Sequence, residues 1–391
     1  MTPAKHINPL TARIIEIGCH AIMKSAFPDH VRLLWTYHKV SEPLSVYEPF
    51  SLRAAVQVWQ QMRAGQIDLI VVWVSPYAPW NFRQLKAVIG RPFQPWKSLI
   101  RIFGIQALRF VRTETPILAI DNEDARTIAA HNLFLLDKAK YFFKRELPID
   151  RWQVFQHTAH AGLPGARFRS NPKNRMRVEK LRPISIGVTP HEPVPEQMPV
   201  PEKSVDVFVA ITLEGGTTVR NEGIEQIRKL AASGLVVDIV EGRIEHSEYM
   251  ERMARAWLTW SPEGLGWECF RHYEAPLVYS IPVINSPTIV RYAPLQDGVH
   301  AIYYQADEHC SLGDKIISAL ADKERLRRIA QTARSHVLKF HVRPQPLANA
   351  LLRIGLGLDE PPSGVELSPV KKSGYLNFQT RIFASSKVDL A

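Results

Sequence analysis

Short apolar runs alternate with amphipathic stretches along the first 140 residues of the chain. The clearest strand signal is the run 68–74 (DLIVVWV), because a continuous apolar run of this length is typical of a strand that is buried on both faces. The same pattern predicts strands at 13–18, 31–37 and 116–120, and helices after Ser51, at 97–112 and after 121–124. Strands that alternate with helices predict a doubly wound parallel sheet.

The alternation restarts after residue 204. Strands are predicted at 205–211, 235–240 and 258–260, and helices at 220–232, after Ser247, at 322–340 and at 345–354. Residues 156–203 are instead rich in proline, contain the basic cluster 167–182 and have almost no periodic apolar face, which predicts a long connector between domains. The predicted organisation is a Rossmann-like domain at 1–155, the connector at 156–203, a second Rossmann-like domain at 204–340, and a helix and tail at 341–391 that can pack back on the first domain.

Composition and charge narrow the class of protein. With 46% hydrophobic and 22% charged residues, the 391-residue chain can bury substantial cores. The net charge of +11 favours an anionic partner, such as a nucleotide, a nucleic acid, a polyanionic glycan or an acidic lipid surface. Three widely spaced cysteines (Cys19, Cys269, Cys310) suggest neither a disulfide framework nor a zinc site. Without an apolar signal core or an apolar run long enough to span a bilayer, we expect a cytoplasmic protein, with peripheral membrane attachment left open.

Ligands of open α/β sheets bind beyond the carboxyl ends of the strands, so the exit loops of the second half are the first place to look for a site. The loop after the strand 205–211 leads into a helix start that carries Thr217, Thr218 and Arg220. Two hydroxyls, a guanidinium and free backbone N–H groups could hold phosphate oxygens there. An ordinary turn with a solvated arginine is the alternative for this loop taken alone.

The loop 261–274 is more specific. Gly264 and Gly266 allow a ligand to approach the backbone closely, and Arg271 and Glu274 are spaced so that both can face one side of a helix start. A cation and a carboxylate in this arrangement suit a nucleotide sugar, with the cation on the diphosphate and the carboxylate on the ribose hydroxyls. The spacing alone leaves open a surface ion pair on a packing helix.

The run CFRHYEAPLVYSIPVIN (269–285) resembles the donor-binding segment of bacterial or phage GT-B glycosyltransferases, in which an arginine and a glutamate open a helix that leads to an IPVI strand. Arg220, Glu248-Tyr249 and the loop 294–300 are similar to further parts of that domain, and YFFKRELP (141–148) resembles a segment of some N-terminal halves. The resemblance implies two Rossmann-like domains facing a cleft. It also implies a hexosyl- or pentosyltransferase without a cofactor, which moves a sugar from a nucleotide-diphosphate sugar, with a UDP-sugar favoured, to a hydroxyl acceptor.

On this resemblance, Glu274 corresponds to the glutamate that contacts the donor ribose, and Arg220 and Arg271 correspond to cations at the diphosphate. Many retaining members carry another glutamate, separated from this one by seven residues, and that position is Gly266 here. The choice between retention and inversion therefore stays open. Pro276 costs the helix little if the helix begins near His272, and otherwise predicts a kink.

An inverting reaction needs a base for the acceptor hydroxyl, and base candidates should lie on exit loops of the first domain. His20 follows the first predicted strand and Asp121 follows the strand 116–120, so both are candidates, with a helix cap or a packed polar group as the alternative for each. No Asp-x-Asp motif lies in a convincing loop, so we predict neither a metal site nor an obligate metal requirement.

The acceptor class stays open between a glycan, a glycolipid and a modified nucleic-acid base. The basic cluster 167–182 could rest on anionic lipid, follow a polyanionic glycan, bind nucleic-acid phosphates, or be a solvated linker. The contrasting hypothesis for the whole chain is a non-catalytic, basic nucleic-acid-binding protein on a glycosyltransferase-like scaffold.

Overall fold

The strands form two parallel sheets, each accompanied by helices. The computed structural model describes residues 8–36, 47–74, 104–156, 171–189, 195–211, 217–306 and 312–361. Within these residues, the predicted α/β fold with two Rossmann-like domains is confirmed.

The first sheet contains seven strands among the described residues. They are β1 (Ile14–Gly18), β2 (Val31–Trp35), β3 (Glu48–Pro49), β4 (Leu69–Trp73), β5 (Ile117–Asp121), β6 (Tyr141–Lys144) and β7 (Leu181–Pro183). Their order is β3-β2-β1-β4-β5-β6-β7, and all neighbours are parallel. All residues of β1, β4 and β5 are buried, as their apolar runs predict. The order reverses between β1 and β4, where open α/β sheets have their ligand crevice.

The second sheet contains five strands among the described residues. They are β8 (Val205–Val209), β9 (Val237–Ile239), β10 (Ala256–Trp260), β11 (Ile281–Asn285) and β12 (Ile302–Tyr304). The parallel order β12-β11-β10-β8-β9 reverses between β10 and β8. The loops that leave these two strands therefore border the crevice of this sheet.

Helices pack against both sheets. In the first half they are α1 (Ile22–Ala26), α2 (Leu52–Arg63), α3 (Phe134–Lys138) and α4 (Asn174–Glu179). In the second half they are α5 (Thr218–Ala232), α6 (His246–Ala254), α7 (Arg271–Leu277), α8 (Leu312–Leu320), α9 (Lys323–Phe340) and α10 (Gln345–Leu356). Ser51 caps α2, because its Oγ accepts the Ala54 N–H at 3.1 Å. Among the described helices, none has an apolar stretch long enough to cross a membrane.

The helix α10, near the end of the described chain, packs against the first sheet. Its residues Leu347 and Leu351 belong to the same buried cluster as Leu69 of β4. A Cβ at Gly355 would lie 2.6 Å from Leu69 Cδ1, so a glycine allows the helix to approach the strand closely. Gly357 then ends α10 in the left-handed conformation with φ of 76°.

Parts of the connecting segments differ from the prediction. Residues 174–183 of the predicted connector form α4 and β7, because Leu181 is buried and pairs with Phe142 at the edge of the first sheet. The segment after Asp121 forms a 3-10 turn at Ala130–Asn132 and the short α3 instead of one helix, since the buried Ile128 donates its N–H to Val154 O. Of the predicted helix 97–112, residues 97–103 lie outside the described residues, and Ile105–Arg109 is a 3-10 helix.

Candidate active site

Arg220 links the two loops that border the crevice of the second sheet. It lies in the first turn of α5, and its Nε donates to Glu263 O at 2.8 Å, in the loop after β10. A Cβ at Gly264 would lie 2.8 Å from Arg220 Nη2, so a glycine here allows the guanidinium to lie against the loop. The structure therefore brings Arg220 and Gly264 together at the point where the strand order reverses.

At the start of α5, the Thr217 hydroxyl has no hydrogen-bond partner among the described residues. Thr217 is the N-cap residue in an extended conformation, but its side chain makes no capping hydrogen bond. Its Oγ1 is also buried. The first N–H groups of a helix also have no acceptor within the helix. Thr218 is exposed beside it, and residues 212–216 lie outside the described residues.

Arg271 and Glu274 lie in the first turn of α7, as their spacing predicts. Tyr249 of α6 donates its hydroxyl to Glu274 Oε2 at 2.7 Å, which fixes the carboxylate at this end of the helix. Burial, followed by the charge of Glu274, raises the pKa of Tyr249, so its hydroxyl stays a donor at neutral pH. Pro276 lies near the end of α7, where its missing N–H costs the helix a single hydrogen bond.

The two arginines favour an anionic ligand. Burial, and then the charge of Arg271, lowers the pKa of Arg220, so the two guanidinium groups act on each other. The Nε of Arg271 is buried and has no hydrogen-bond partner among the described residues. A buried donor without an acceptor costs free energy, and a bound anion with several oxygen atoms would supply acceptors to both arginines.

Cys269 lies in the loop after β10, two residues before Arg271. Its Sγ is 3.1 Å from Ser261 Oγ. Burial raises the pKa of the thiol, but the His272 ring, the charge of Arg271 and hydrogen bonds outweigh burial, and the net pKa is well below its usual range. Cys269 is therefore a natural chemical reporter for the electrostatics of the site.

We expect iodoacetamide to alkylate Cys269 much faster than Cys19 at neutral pH. Both cysteines are half-buried, but burial and the charge of Glu123 raise the pKa of Cys19 to about 12, and the thiolate is the reactive form. Peptide mapping by mass spectrometry after timed labelling gives both rates in one sample. Equal rates at the two cysteines would contradict the electrostatic description of the site.

His20 and Asp121 lie at the carboxyl ends of β1 and β5, in different surroundings. The His20 ring packs against Trp73 with centroids 4.6 Å apart, and burial, followed by the charge of Arg343, lowers its pKa to about 4. Asp121 is 2% exposed, and its Oδ2 lies 3.1 Å from Lys144 Nζ. The carboxylate of Asp121 is thus engaged in a buried ion pair, which fits a packed polar group better than a base.

Sequence reasoning missed two side chains that shape the site. One is Tyr249, which holds Glu274, and the other is Glu146, which follows β6. Glu146 is fully buried and accepts the N–H groups of Trp267 and Glu268 at 2.9 and 3.0 Å. Both missed residues lie in segments that carry the family resemblance, but their contacts join residues far apart in the sequence.

Three cations of the described part of the basic cluster, residues 171–182, are engaged in local structure. Arg177 donates to Asp137, with Nε 2.8 Å from Oδ1, and Lys180 Nζ donates to two backbone carbonyls. The guanidinium of Arg182 lies 5.0 Å from the centre of the Tyr141 ring. These three side chains attach α4 and β7 to the rest of the first domain, whereas Lys173 and Arg175 are exposed.

No family model matches the chain, and no curated protein matches it. Solved structures with a similar fold include a glycosyltransferase from Rickettsia africae, with 9% identity and a TM-score of 0.49 over 89% of this chain and 98% of that one. Anabaena HepE in complex with UDP and glucose has 13% identity and a TM-score of 0.45, over 88% and 99% of the two chains. Sucrose-phosphate synthase from Thermosynechococcus elongatus has 11% identity and a TM-score of 0.46, over 96% of this chain and 100% of that one.

These likenesses concern the fold alone. The described residues form two parallel Rossmann-like sheets, and α10 packs against the first sheet, which is the α/β architecture that the sequence predicts. At the identities given above, the functional assignment has to rest on the residues of this chain.

Proposed function

We propose that this protein is a glycosyltransferase that moves a sugar from a nucleotide-diphosphate sugar, with a UDP-sugar favoured, to a hydroxyl acceptor. The observation that carries the proposal is the set of groups at the crevice of the second sheet. The charge of Arg271 acts on Arg220, Arg271 Nε and Thr217 Oγ1 are buried without partners among the described residues, and Glu274 lies one helical turn from Arg271. This arrangement suits a diphosphate next to a ribose.

The two arginines and the start of α5 would bind the diphosphate. Cleavage of the bond between the sugar and the diphosphate leaves negative charge on the leaving group, and guanidinium groups placed beside it stabilise that charge in the transition state. Because arginines can supply this charge, we propose that the reaction needs no metal ion. UDP affinity is then expected to be the same with and without EDTA.

The acceptor side of the reaction would use His20. Its position at the carboxyl end of β1 carries this assignment, and its imidazole is neutral at pH 7. A pKa of about 4 makes it a weak base, so the role requires that the bound acceptor raises this pKa. Asp121 is the weaker candidate, because its carboxylate pairs with Lys144. A screen of glycans, glycolipids and nucleic-acid bases with the donor that the protein binds tests the acceptor class.

A panel of nucleoside diphosphates (UDP, GDP, ADP and TDP) tests the proposal. We expect UDP to raise the melting temperature, since a ligand at about 100 times its Kd stabilises a folded protein by about 2.7 kcal/mol. If none of the four moves the melting temperature or gives heat in a calorimetric titration, the proposed donor site is wrong. Strongly salt-dependent DNA binding together with that result would favour the nucleic-acid-binding alternative.

Glu274→Gln tests the ribose contact. We expect the Kd for UDP to rise about 10-fold, because an amide cannot replace a carboxylate that accepts from Tyr249 and from ribose hydroxyls at once. The same substitution should leave the Kd for 2′,3′-dideoxy-UDP nearly unchanged, since that nucleotide lacks the hydroxyls. Glu248→Gln, an exposed glutamate on α6, is the matched control. An equal loss for both nucleotides would rule out the ribose contact.

A further inference from the structure

The carboxylate of Glu146 fills the space that a side chain at position 266 would need. A Cβ at Gly266 would lie 2.6 Å from Glu146 Oε1 and 2.7 Å from its Cδ, which is closer than a Cβ can approach. Position 266 is also the one where the sequence pattern of retaining enzymes places another glutamate. In this chain a carboxylate lies beside that position, but it comes from the first domain.

Glu146 acts on the loop through the backbone. Its two oxygens accept from the consecutive N–H groups of Trp267 and Glu268, and none of its surface is exposed. The earlier part of the loop is held from within the second domain, since Asn285 Oδ1 accepts the Glu263 N–H at 2.8 Å. Trp267 is held from both domains, since its Nε1 also donates to Asn285 O at 3.0 Å. The loop that carries Gly264 toward Arg271 is thus fixed at its start by its own domain and at Trp267 and Glu268 by the first domain as well.

We propose that Glu146 is a positioning residue for the donor site, and that position 266 must be glycine because the Glu146 carboxylate fills its side-chain space. The inference rests on the proposed function for its effect on donor binding. By fixing the peptides of Trp267 and Glu268, Glu146 sets the path of the chain between Gly264, which lies against Arg220, and Arg271. The donor site of the second domain is then complete only when the first domain is docked against this loop.

Two single substitutions test the contact from its two sides. In Glu146→Gln the amide oxygen can accept one N–H, but the amide NH2 meets the other, so we expect the Kd for UDP to rise about 10-fold. Gly266→Ala should give a similar loss, because its Cβ displaces the carboxylate. Glu179→Gln, an exposed glutamate of the first domain, is the control and should bind UDP as the wild type does.

The double variant separates positioning from general stability. In a Glu146→Ala background the space beside residue 266 is empty, so adding Gly266→Ala should change the Kd for UDP by less than about 2-fold, and the two losses should not multiply. A merely structural role would lower the melting temperature of each variant and leave the Kd of the folded protein unchanged. If Glu146→Ala does not fold, the two single substitutions of the preceding test decide the question.

The alkylation rate of Cys269 provides a readout that does not depend on donor binding. A loop released from Glu146 should change that rate in Glu146→Gln and in Gly266→Ala, and not in Glu179→Gln. If wild-type protein binds no nucleotide but the Cys269 rate responds in this way, the proposed function fails and the positioning contact stands. If neither the Kd for UDP nor the Cys269 rate changes in the folded variants, Glu146 does not position the loop.

Discussion

Replacing Arg271 with alanine is expected to raise the Kd for UDP by about 10- to 100-fold, which is the usual effect of losing a charged hydrogen bond. The reason is specific to this arginine. Its Nε is buried without a partner among the described residues, and its charge acts on Arg220, so a bound diphosphate would supply an acceptor to this Nε and negative charge to both guanidinium groups. Calorimetric titration of the purified variant with UDP gives the affinity directly.

Uridine is the comparison that identifies the contact. Arg271→Ala should leave the weak affinity for uridine unchanged, because uridine has no diphosphate, and the loss should shrink at high salt as charges are screened. Arg328→Ala, at an exposed arginine of α9, is the matched control for the change in net charge. A variant that loses uridine and UDP affinity in equal measure would show that Arg271 supports the fold of the loop and not the diphosphate.

The central strands of the fold could be predicted because their signal is local. In β1, β4 and β5 every residue is buried, so these strands are mostly apolar, and each of the two buried carboxylates, Glu16 of β1 and Asp121 of β5, interrupts its run at one position only. The strand β7 could not be predicted, since its three residues, LRP, include an arginine and a proline. It exists because of its pairing with β6 and the stacking of Arg182 on Tyr141, and neither contact leaves a pattern in the segment itself.

The contacts of the site also fall into two groups, those that local spacing predicts and those that depend on the fold. Arg271 and Glu274 are neighbours on one helix turn, so their spacing was enough to predict that they lie together. The contact of Arg220 with Glu263 follows only from the strand order, which puts β8 beside β10. Glu146 and Trp267 are 121 residues apart and follow strands of different sheets, so neither segment alone predicts their hydrogen bond.

Lys144→Met is expected to lower the free energy of unfolding of the first domain by about 3 to 5 kcal/mol, the range for breaking a buried ion pair. Lys144 is fully buried, and its Nζ lies 3.1 Å from Asp121 Oδ2. The two residues also face each other in the pairing of β5 with β6, so the substitution leaves a carboxylate without its cation between two interior strands. Urea unfolding followed by circular dichroism measures the change.

Lys140→Met, four residues earlier and exposed, is the control and should cost less than about 1 kcal/mol. The double variant Asp121→Leu with Lys144→Met removes both charges, and it should recover most of the lost stability because no unpaired buried ion remains. Its affinity for UDP should match that of the wild type, since the pair lies on the acceptor side of the proposed cleft. If Lys144→Met is as stable as the wild type, Asp121 does not depend on this ion pair, and its carboxylate becomes a base candidate equal to His20.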